Sequence, residues 1–363
     1  MTEPALIDDP DAVTPEWMTD VLRASGAIRD ARVVGLDPRQ VGTGQMGASV
    51  RFGLTYDLAE PDAPDSVVGK FPSTNPISRA TGVGQGAYLK EVRFYQALQK
   101  TVQIRTPHCH FARIEQTSGS FVLVLEDLSP AVQGDQIAGC SVDQAALALL
   151  ELAKLHAPHW GSPSLLELDW MSPPSPESAA LLKVIYQSVF PGFVERYEGA
   201  IGPEHLALAE ELGENLVAWT TAMADGPLCV IHGDYRLDNM LFGTAEGGHP
   251  LAVVDWQTCG VGPAVSDAAY FLGASLLPVD RRAHEEALLR DYHAALIADG
   301  RADYGWDQCW ADYARYSFSG VLMAVVASMI VERHDRGDEM FIAMATRHAT
   351  HALDLDATRF LKA

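Results

Sequence analysis

Cysteine is scarce in this sequence, and its spacing excludes one class of metal site. The chain has 363 residues and five cysteines, and no two of them form a Cys-x-x-Cys pair. An odd number of scattered cysteines is typical of reduced thiols in the cytoplasm and argues against a structural zinc site. We therefore expect a cytoplasmic protein that does not depend on disulfides.

Basic residues are also few. Lysine and arginine number 26 against 48 acidic residues, so the formal net charge is -22. Nucleic acids and anionic membranes attract basic surfaces, so we expect neither as a partner. Seven acids against one arginine lie between residues 195 and 225. They could attract a cationic substrate or simply form the solvated face of a helix.

Long apolar runs are missing as well. The longest uncharged one, Ser317 to Val331, has about fifteen residues, which is short for a membrane span and favours a buried helix. The first residues, up to Trp17, are acidic and lack an apolar core. We therefore expect no signal peptide.

The residues that are present describe a globular chain with two parts. Hydrophobic residues make up 48% of the chain and charged residues 20%. Its 363 residues are enough for two hydrophobic cores. Alternating segments such as Val50–Tyr56 predict strands in the first third, whereas long helical patterns follow residue 141. We predict an α+β fold with a boundary near Asp127, giving domains 1–126 and 127–363.

Two segments of the first domain carry local signals, one for a helix and one for a loop. Thr14, Pro15 and Glu16 predict a helix start, because a capping hydroxyl precedes proline and an acid in the first turn. The helix would end near Gly26. The segment from Pro72 to Gly86 is rich in glycine, proline and serine, so we predict a loop there.

The hairpin 230–257 carries the residue types of a metal site. An apolar run leads to His232-Gly233-Asp234, Asn239 precedes a second apolar run, and Asp255 ends a buried strand. A carboxylate at the end of a buried strand needs a partner, and a hard cation with oxygen ligands is a natural one. We predict Asn239 and Asp255 as magnesium ligands and Asp234 as the base of phosphoryl transfer.

A glycine-rich segment lies between two predicted strands. Gly42, Gly44 and Gly47 form a GxGxxG pattern, which as a dinucleotide-binding fingerprint would have to open a helix. Between strands it fits a hairpin whose backbone N–H groups, together with Ser49, cover phosphates. A merely flexible hairpin loop is the alternative.

A lysine and a glutamate complete the predicted phosphate site. Lys70 lies on a short strand, and Glu91 falls on the apolar stripe of the next helix, beside Tyr88 and Tyr95. A buried glutamate needs a cation, so Lys70 would pair with it and face nucleotide phosphates. A glutamate at the edge of the stripe, in water, is the alternative.

Three further residues are interpreted as structural. His232 would pack and hydrogen-bond to hold the catalytic loop. Asp267, early in a predicted helix, would anchor the catalytic segment. His156 lies on the apolar face of a helix, so we predict a hydrogen-bonded core histidine.

These motifs together resemble the aminoglycoside phosphotransferase/choline kinase superfamily. The matching segments are HGDYRLDN, VVDWQ, GTGQMG, Lys70, the EVRFYQAL helix and VLEDL. Within the superfamily the chain looks most similar to ecdysteroid-kinase-like proteins and to phosphotransferase modules joined to acyl-CoA dehydrogenases. The resemblance implies a protein-kinase-like fold, with a small antiparallel-sheet N-lobe and a larger helical C-lobe. It also implies ATP, magnesium, a small-molecule hydroxyl acceptor, and backbone contacts from Glu126 and Leu128 to adenine.

Departures from the protein-kinase motifs narrow the class of acceptor molecule. Asp255-Trp256-Gln257 stands where protein kinases have Asp-Phe-Gly, and Gly233 replaces the arginine of His-Arg-Asp. About eight residues separate Asp255 from the helix near Ala264, too few for a segment that docks peptides. Many relatives have an acid where Gln257 stands. We therefore expect a small molecule rather than a protein as acceptor.

Two other functions stay open at this point. A nucleotide-binding pseudokinase would act as a scaffold or sensor, although a catalytically dead member would have no need to keep Lys70, Asp234, Asn239 and Asp255. An unrelated α+β hydrolase could use Asp234 and Asp255 on a metal. It would leave Lys70, Glu91 and the glycine loop unexplained.

Overall fold

A computed structural model describes residues 3–42, 46–224, 226–298 and 304–361. They fall into two units. The first contains residues 1–101, 106–130 and 254–258, and the second contains residues 102–105, 131–253 and 259–363. The sequence placed a boundary at Asp127, whereas the first unit continues to Pro130 and also includes the short segment around Asp255.

The first unit is built on a five-stranded antiparallel sheet with the order β1-β2-β3-β5-β4. Its elements are α1 (Pro15–Ser25), β1 (Val33–Gln40), β2 (Gly47–Tyr56), β3 (Ser66–Pro72), α2 (Pro76–Gly84), α3 (Ala87–Arg93) with a π-helical turn (Phe94–Leu98), β4 (Cys109–Glu115) and β5 (Ser120–Glu126), besides 3₁₀ turns at Pro10–Ala12 and Trp256–Thr258.

Helix α1 begins and ends as its sequence predicts. The Thr14 hydroxyl accepts a hydrogen bond from the Trp17 backbone N–H, Pro15 opens the first turn, and Gly26 closes the helix at φ +77°. The buried face of α1 joins side chains of the sheet in one apolar core. Burial of that face, more than helix propensity, stabilises a helix of this length.

The loop predicted for Pro72–Gly86 is wrong, because α2 occupies most of that segment. The Asn75 side chain accepts hydrogen bonds from the first backbone N–H groups of the helix, and Pro76 stands in its first turn. A Cβ at Gly82 would come within 2.6 Å of the Tyr88 ring. Glycine here permits close packing between α2 and α3, which the sequence pattern does not distinguish from flexibility.

The second unit is mostly helical and carries two small sheets. Its elements are β6 (Val132–Gln133), α4 (Val142–His156), α5 (Pro176–Tyr197), α6 (Pro203–Ala222), β7 (Leu228–Ile231), β8 (Met240–Thr244), β9 (Gly247–Val253), β10 (Gly260–Pro263), α7 (Val265–Ser275), α8 (Pro278–Ile297), α9 (Trp306–Tyr316), α10 (Ser319–Ile330) and α11 (Asp335–Asp354), with short 3₁₀ turns at Ala157–His159, Pro163–Glu167, Leu237–Asn239 and Ala357–Phe360.

The small sheets position the central hairpin. β7 ends one residue before His232, β8 begins directly after Asn239, and β8 pairs with both β6 and β9. Two glycines and a proline in Gly260–Pro263 predict a turn. This prediction is wrong, because the segment is strand β10 and pairs antiparallel with β7. A Cβ at Gly262 would come within 2.6 Å of the Ile231 side chain, so glycine again marks close packing.

The C-terminal helices differ from expectation in one respect. The sequence pattern from Trp306 to Val331 predicts one helix. The structure divides this run at Ser317 and Phe318 into α9 and α10. The stretch Trp306–Ile330 is long and apolar enough to cross a membrane by length and composition alone, a test that core helices of soluble proteins also pass. More than half of its most apolar window is buried inside the structure.

The acidic segment 195–225 is mostly solvated. Glu204, Glu210 and Glu214 on α6 are exposed, as are Glu195 and Glu198 before it. These positions favour the interpretation of a solvated helix face. A sheet-based first unit and a mainly helical second unit confirm the predicted α+β class.

Candidate active site

A partly buried lysine, with 17% of its side chain exposed, lies between two carboxylates in the first unit. Lys70 Nζ is 2.7 Å from Glu91 Oε1 and 2.8 Å from Asp255 Oδ1. Lys70 is carried by β3 and Glu91 by α3, and Glu91 is only 2% exposed. The predicted ion pair is therefore present, and Asp255 joins it as a third member.

The electrostatics of this cluster follow from burial. Burial alone would lower the pKa of Lys70, but the negative charges of Asp255 and Glu91 outweigh it and raise that pKa. Burial raises the pKa of Glu91, while Lys70 and the Trp256 backbone N–H oppose the rise. The raised pKa keeps the lysine protonated near neutral pH, and its positive charge offsets the repulsion between the two nearby carboxylates.

The backbone around Asp255 holds its side chain in place. Asp255 has φ +67°, a left-handed conformation that aspartate tolerates better than most residues. The next residue, Trp256, is fully buried and stacks on Phe94 with ring centroids 3.7 Å apart. Gln257 donates to Asp255 Oδ2 at 3.3 Å. The amide at this position therefore supports Asp255 where an acid would repel it.

The glycine-rich hairpin connects β1 and β2. Gly44 lies outside the described residues. Gly42 has φ +73° and is exposed, and a Cβ at Gly47 would come within 2.7 Å of the Phe71 carbonyl oxygen. Ser49 stands directly opposite Lys70 in the β2–β3 register. The hairpin therefore leads into the strand beside Lys70, although its contacts with phosphates stay a prediction.

The segment after β5 is anchored by its acidic residues. Glu126 exchanges hydrogen bonds with the His108 backbone, since its N–H donates to the His108 carbonyl and its carboxylate accepts from the His108 N–H. Asp127 accepts from Ser66 at 2.6 Å and pairs with Arg51. Leu128 follows this anchored pair. A role of Glu126 and Leu128 in contacting adenine stays a prediction.

The carboxylate of Asp234 in the second unit is held by three donors. Tyr270 donates its hydroxyl to Oδ1 at 2.6 Å, whereas Arg236 Nε and Asn239 Nδ2 donate to Oδ2 at 3.0 and 2.9 Å. The Asp234 side chain is 14% exposed. A carboxylate fixed in this way has a defined direction in which to accept a proton.

The orientation of Asn239 bears on metal binding. Its Nδ2 donates both to the Asp234 carboxylate and to the Asp234 backbone carbonyl, at 2.9 and 2.8 Å. Both amide hydrogens are thereby used, and the oxygen Oδ1 is left as an acceptor. An amide oxygen suits a hard cation. Asn239 and Asp255 thus both have oxygens that fit magnesium.

Asp267 organises the backbone of the loop that follows β7. It accepts the N–H of His232 at 2.6 Å and that of Gly233 at 3.0 Å. His156 Nε2 lies 3.3 Å from the same carboxylate, and its Nδ1 lies 2.8 Å from the Tyr292 hydroxyl. His156 is thus a buried, hydrogen-bonded core histidine, as predicted. His232 Nδ1 accepts the Asp234 N–H at 3.3 Å.

We expect Asp267→Ala to destabilise the second unit. The change leaves two backbone N–H groups without their acceptor in a buried place, and each such group costs about 1–3 kcal/mol. Urea unfolding would show a lower midpoint. The control is Ser266→Ala on the same helix, which removes a buried hydroxyl that donates to the Pro263 carbonyl of β10. An equal or larger loss in that control would contradict an anchoring role for Asp267.

Sequence reasoning missed two residues that contact Asp234. Burial and the Asp234 charge raise the pKa of Tyr270 well above its usual value, so its hydroxyl stays a donor. Arg236 bridges Asp234 and Asp238, and their charges outweigh burial and raise its pKa. One signal was available for Tyr270, which lies in a helix whose residues are all buried. A tyrosine hydroxyl there must find a partner.

The sequence matches the model of a known protein family. A family model described as the phosphotransferase enzyme family matches residues 79–315, more than half of the chain. No curated protein matches the sequence significantly. The finer resemblance to ecdysteroid-kinase-like and acyl-CoA-dehydrogenase-associated proteins stays a prediction.

Solved structures share the fold over nearly the whole chain. A variant of aminoglycoside 2'-phosphotransferase-IIIa in its GDP complex has a TM-score of 0.52 at 16% identity, covering 94% of this chain and 98% of its own. Choline kinase from Cryptosporidium parvum Iowa II has a TM-score of 0.52 at 10% identity, covering 88% and 89%. Ethanolamine kinase from Plasmodium vivax has a TM-score of 0.52 at 11% identity, covering 91% and 86%. The chain belongs to the phosphotransferase enzyme family and has its protein-kinase-like fold.

Proposed function

We propose that this phosphotransferase moves the γ-phosphoryl group of ATP, with magnesium, to a hydroxyl of a small molecule. The observation that carries the proposal is the fixed carboxylate of Asp234, whose three donors hold it as a directed proton acceptor. The acceptor hydroxyl gives its proton to this carboxylate as its oxygen bonds to phosphorus and the bond to the leaving ADP breaks.

Lys70 in the first unit supplies positive charge for the nucleotide phosphates. Lys70, held between Glu91 and Asp255, neutralises phosphate oxygens, and the hairpin glycines with Ser49 offer N–H donors. Phosphoryl transfer depends on such positioning and charge neutralisation more than on covalent chemistry. The similar structures solved with bound GDP support nucleotide use in general.

Asn239 and Asp255 would hold magnesium. The amide oxygen of Asn239 and the carboxylate of Asp255 are hard oxygen ligands, and magnesium keeps waters for its remaining positions. When bound, the ion neutralises phosphate charge. Gln257 replaces an acid beside Asp255, so we propose that these two residues are the main protein ligands.

The acceptor class follows from similarity and from the chain itself. Structures of this fold are named for aminoglycosides, choline and ethanolamine, which are small molecules with hydroxyl groups. The short segment between Asp255 and α7 gives no room for docking a peptide. The net charge of -22 favours an enzyme that binds neither nucleic acid nor membrane. The five scattered cysteines favour a cytoplasmic one.

A transfer assay tests the proposal. Purified protein with ATP and magnesium is offered a library of small alcohols, and products are detected by mass spectrometry as added phosphoryl groups. We expect transfer that stops on chelation of the metal. Metal-dependent ATP binding without transfer or ATP hydrolysis would support a pseudokinase instead. ATP-independent hydrolysis of a phosphoester would support a hydrolase.

A further inference from the structure

The side chain of His348 fills a slot between three helices of the second unit. It lies on α11 and is fully buried. Its ring sits against Gly273 of α7 and Gly320 of α10, so closely that a methyl group added at either glycine would overlap the imidazole. Only glycine at both positions leaves room for the ring. The slot and the histidine are therefore matched in shape.

A buried imidazole at this place needs a reason. Neither ring nitrogen of His348 has a hydrogen-bond partner within the described part of the chain. Burial lowers the pKa of His348 well below its usual value, so the ring is neutral. Leaving polar atoms unpaired in a core costs free energy that a purely apolar side chain avoids. A five-membered ring, however, fits between two glycine backbones where a phenyl ring would be too large.

The contact of His348 with Tyr270 connects this slot to the site. The two ring centroids lie 5.2 Å apart with a tilt of 35°. The Tyr270 hydroxyl in turn donates to Asp234 Oδ1 at 2.6 Å. Removal of the imidazole would leave space into which the Tyr270 ring can turn, and a buried ring that gains space loses its fixed orientation.

The hydrogen-bond donors to Asp234 are divided unequally between its two carboxylate oxygens. A carboxylate oxygen has two acceptor positions. Arg236 and Asn239 both donate to Oδ2, whereas Tyr270 is the one donor to Oδ1 among the residues that the structure describes. Among the contacts of the described residues, the remaining position is therefore on Oδ1, the oxygen that the tyrosine orients.

We propose that His348 is a positioning residue for the transfer reaction, which holds Tyr270 so that Asp234 Oδ1 faces the acceptor hydroxyl. This inference rests on the proposed role of Asp234 as the base. The ring contact that links His348 to this site is with Tyr270. It acts through the Tyr270 ring, and the glycine slot keeps it in place.

A double-mutant cycle in kcat tests the proposal. Because a small misplacement of a reacting group costs up to about a hundredfold in rate, we expect His348→Ala to lower kcat roughly ten- to a hundredfold. Tyr270→Phe should cause a similar loss. The double variant should lose no more than either single one, since His348 acts through the hydroxyl that Phe lacks. The KM for ATP should not change, because the cluster around Lys70 lies in the first unit. Additive losses in kcat, or unchanged kcat in His348→Ala, would overturn the proposal.

Variants at the slot separate positioning from folding. Gly320→Ala should lower both Tm and kcat, since its methyl group displaces the ring. Adding His348→Ala should restore Tm but leave kcat low. His293→Ala is the control, because that histidine is also buried but contacts Tyr304 and Trp306 instead of Tyr270. It should lower Tm and leave kcat unchanged. Recovery of kcat together with Tm in the slot double variant would contradict a positioning role.

A crystal structure of His348→Ala distinguishes this inference from the proposed function. We expect the Tyr270 hydroxyl to leave Asp234 in that variant, whether or not an acceptor is known. If the hydroxyl leaves Asp234 while the wild type transfers no phosphoryl group, His348 does position Tyr270, but the proposed function fails. If the hydroxyl stays at Asp234, the positioning role of His348 is wrong.

Discussion

Asp234→Asn is expected to lower kcat for phosphoryl transfer by about 10²–10⁴-fold, the range that a positioned general base contributes. The amide has the size of the carboxylate but no lone pair basic enough to take the acceptor proton. In addition, its NH₂ group faces at least one of the donors that now bind the carboxylate. The kcat from steady-state assays with the best acceptor is the measurement.

Controls for Asp234→Asn are available within the same unit. Nucleotide affinity should stay near the wild-type value, because Lys70 and its partners lie in the first unit. Asp312→Asn is a matched change, since Asp312 is also a buried aspartate that accepts a tyrosine hydroxyl, from Tyr304 at 2.9 Å. It should alter Tm and leave kcat unchanged. Full kcat in Asp234→Asn would remove Asp234 as the base.

Lys70→Met is expected to weaken both nucleotide binding and folding. The variant loses the cation that faces phosphates and leaves Glu91, which is 2% exposed, beside Asp255 with no positive partner. Breaking a buried ion pair by removing one partner costs about 3–5 kcal/mol. We expect a fall of that size in the free energy of unfolding and loss of measurable ATP binding by calorimetry.

The pH dependence of Lys70→Met follows from Glu91. Lys70 is the main group that opposes the rise of the Glu91 pKa, whereas burial and Asp255 raise it. In the variant the pKa of Glu91 in the folded state therefore rises further above its unfolded value. Stability from a protonated Glu91 is present below the unfolded pKa and is lost as pH rises through the folded pKa. The deficit in Tm should thus shrink as the pH is lowered.

A second substitution separates the two effects of Lys70→Met. Adding Glu91→Gln removes the unpaired buried charge, so the free energy of unfolding should recover in large part. ATP binding should not recover, because the cation is still missing. Return of ATP binding in the double variant would show that Lys70 acts only through folding.

Much of the candidate site was predictable because its residues belong to contiguous motifs. Asp234 and Asn239 lie five residues apart, and the strands that flank them have plain apolar patterns. The pairing of Lys70 with Glu91 was predictable for another reason. A glutamate on the apolar face of a helix must find a cation. The adjacent Lys90 and Arg93 lie on the other side of that helix.

The errors concerned the meaning of glycine and the ends of elements. Glycines between Pro72 and Gly86 suggested a loop, whereas Gly82 allows α2 to pack on Tyr88. Gly262 suggested a turn and lies in β10. Glycine permits both flexibility and close approach, and only the neighbouring side chains show which of these applies.

The sequence by itself determined the family and the α+β class and supplied the candidate groups for the proposed chemistry, because these depend on residue type and on spacing along the chain. Tertiary structure alone decided which groups orient Asp234. Tyr270 reaches it across 36 residues of chain, and His348 supports Tyr270 from another helix. Such contacts depend on how helices pack and on the space that Gly273 and Gly320 leave for the His348 ring. A local sequence pattern specifies neither of them.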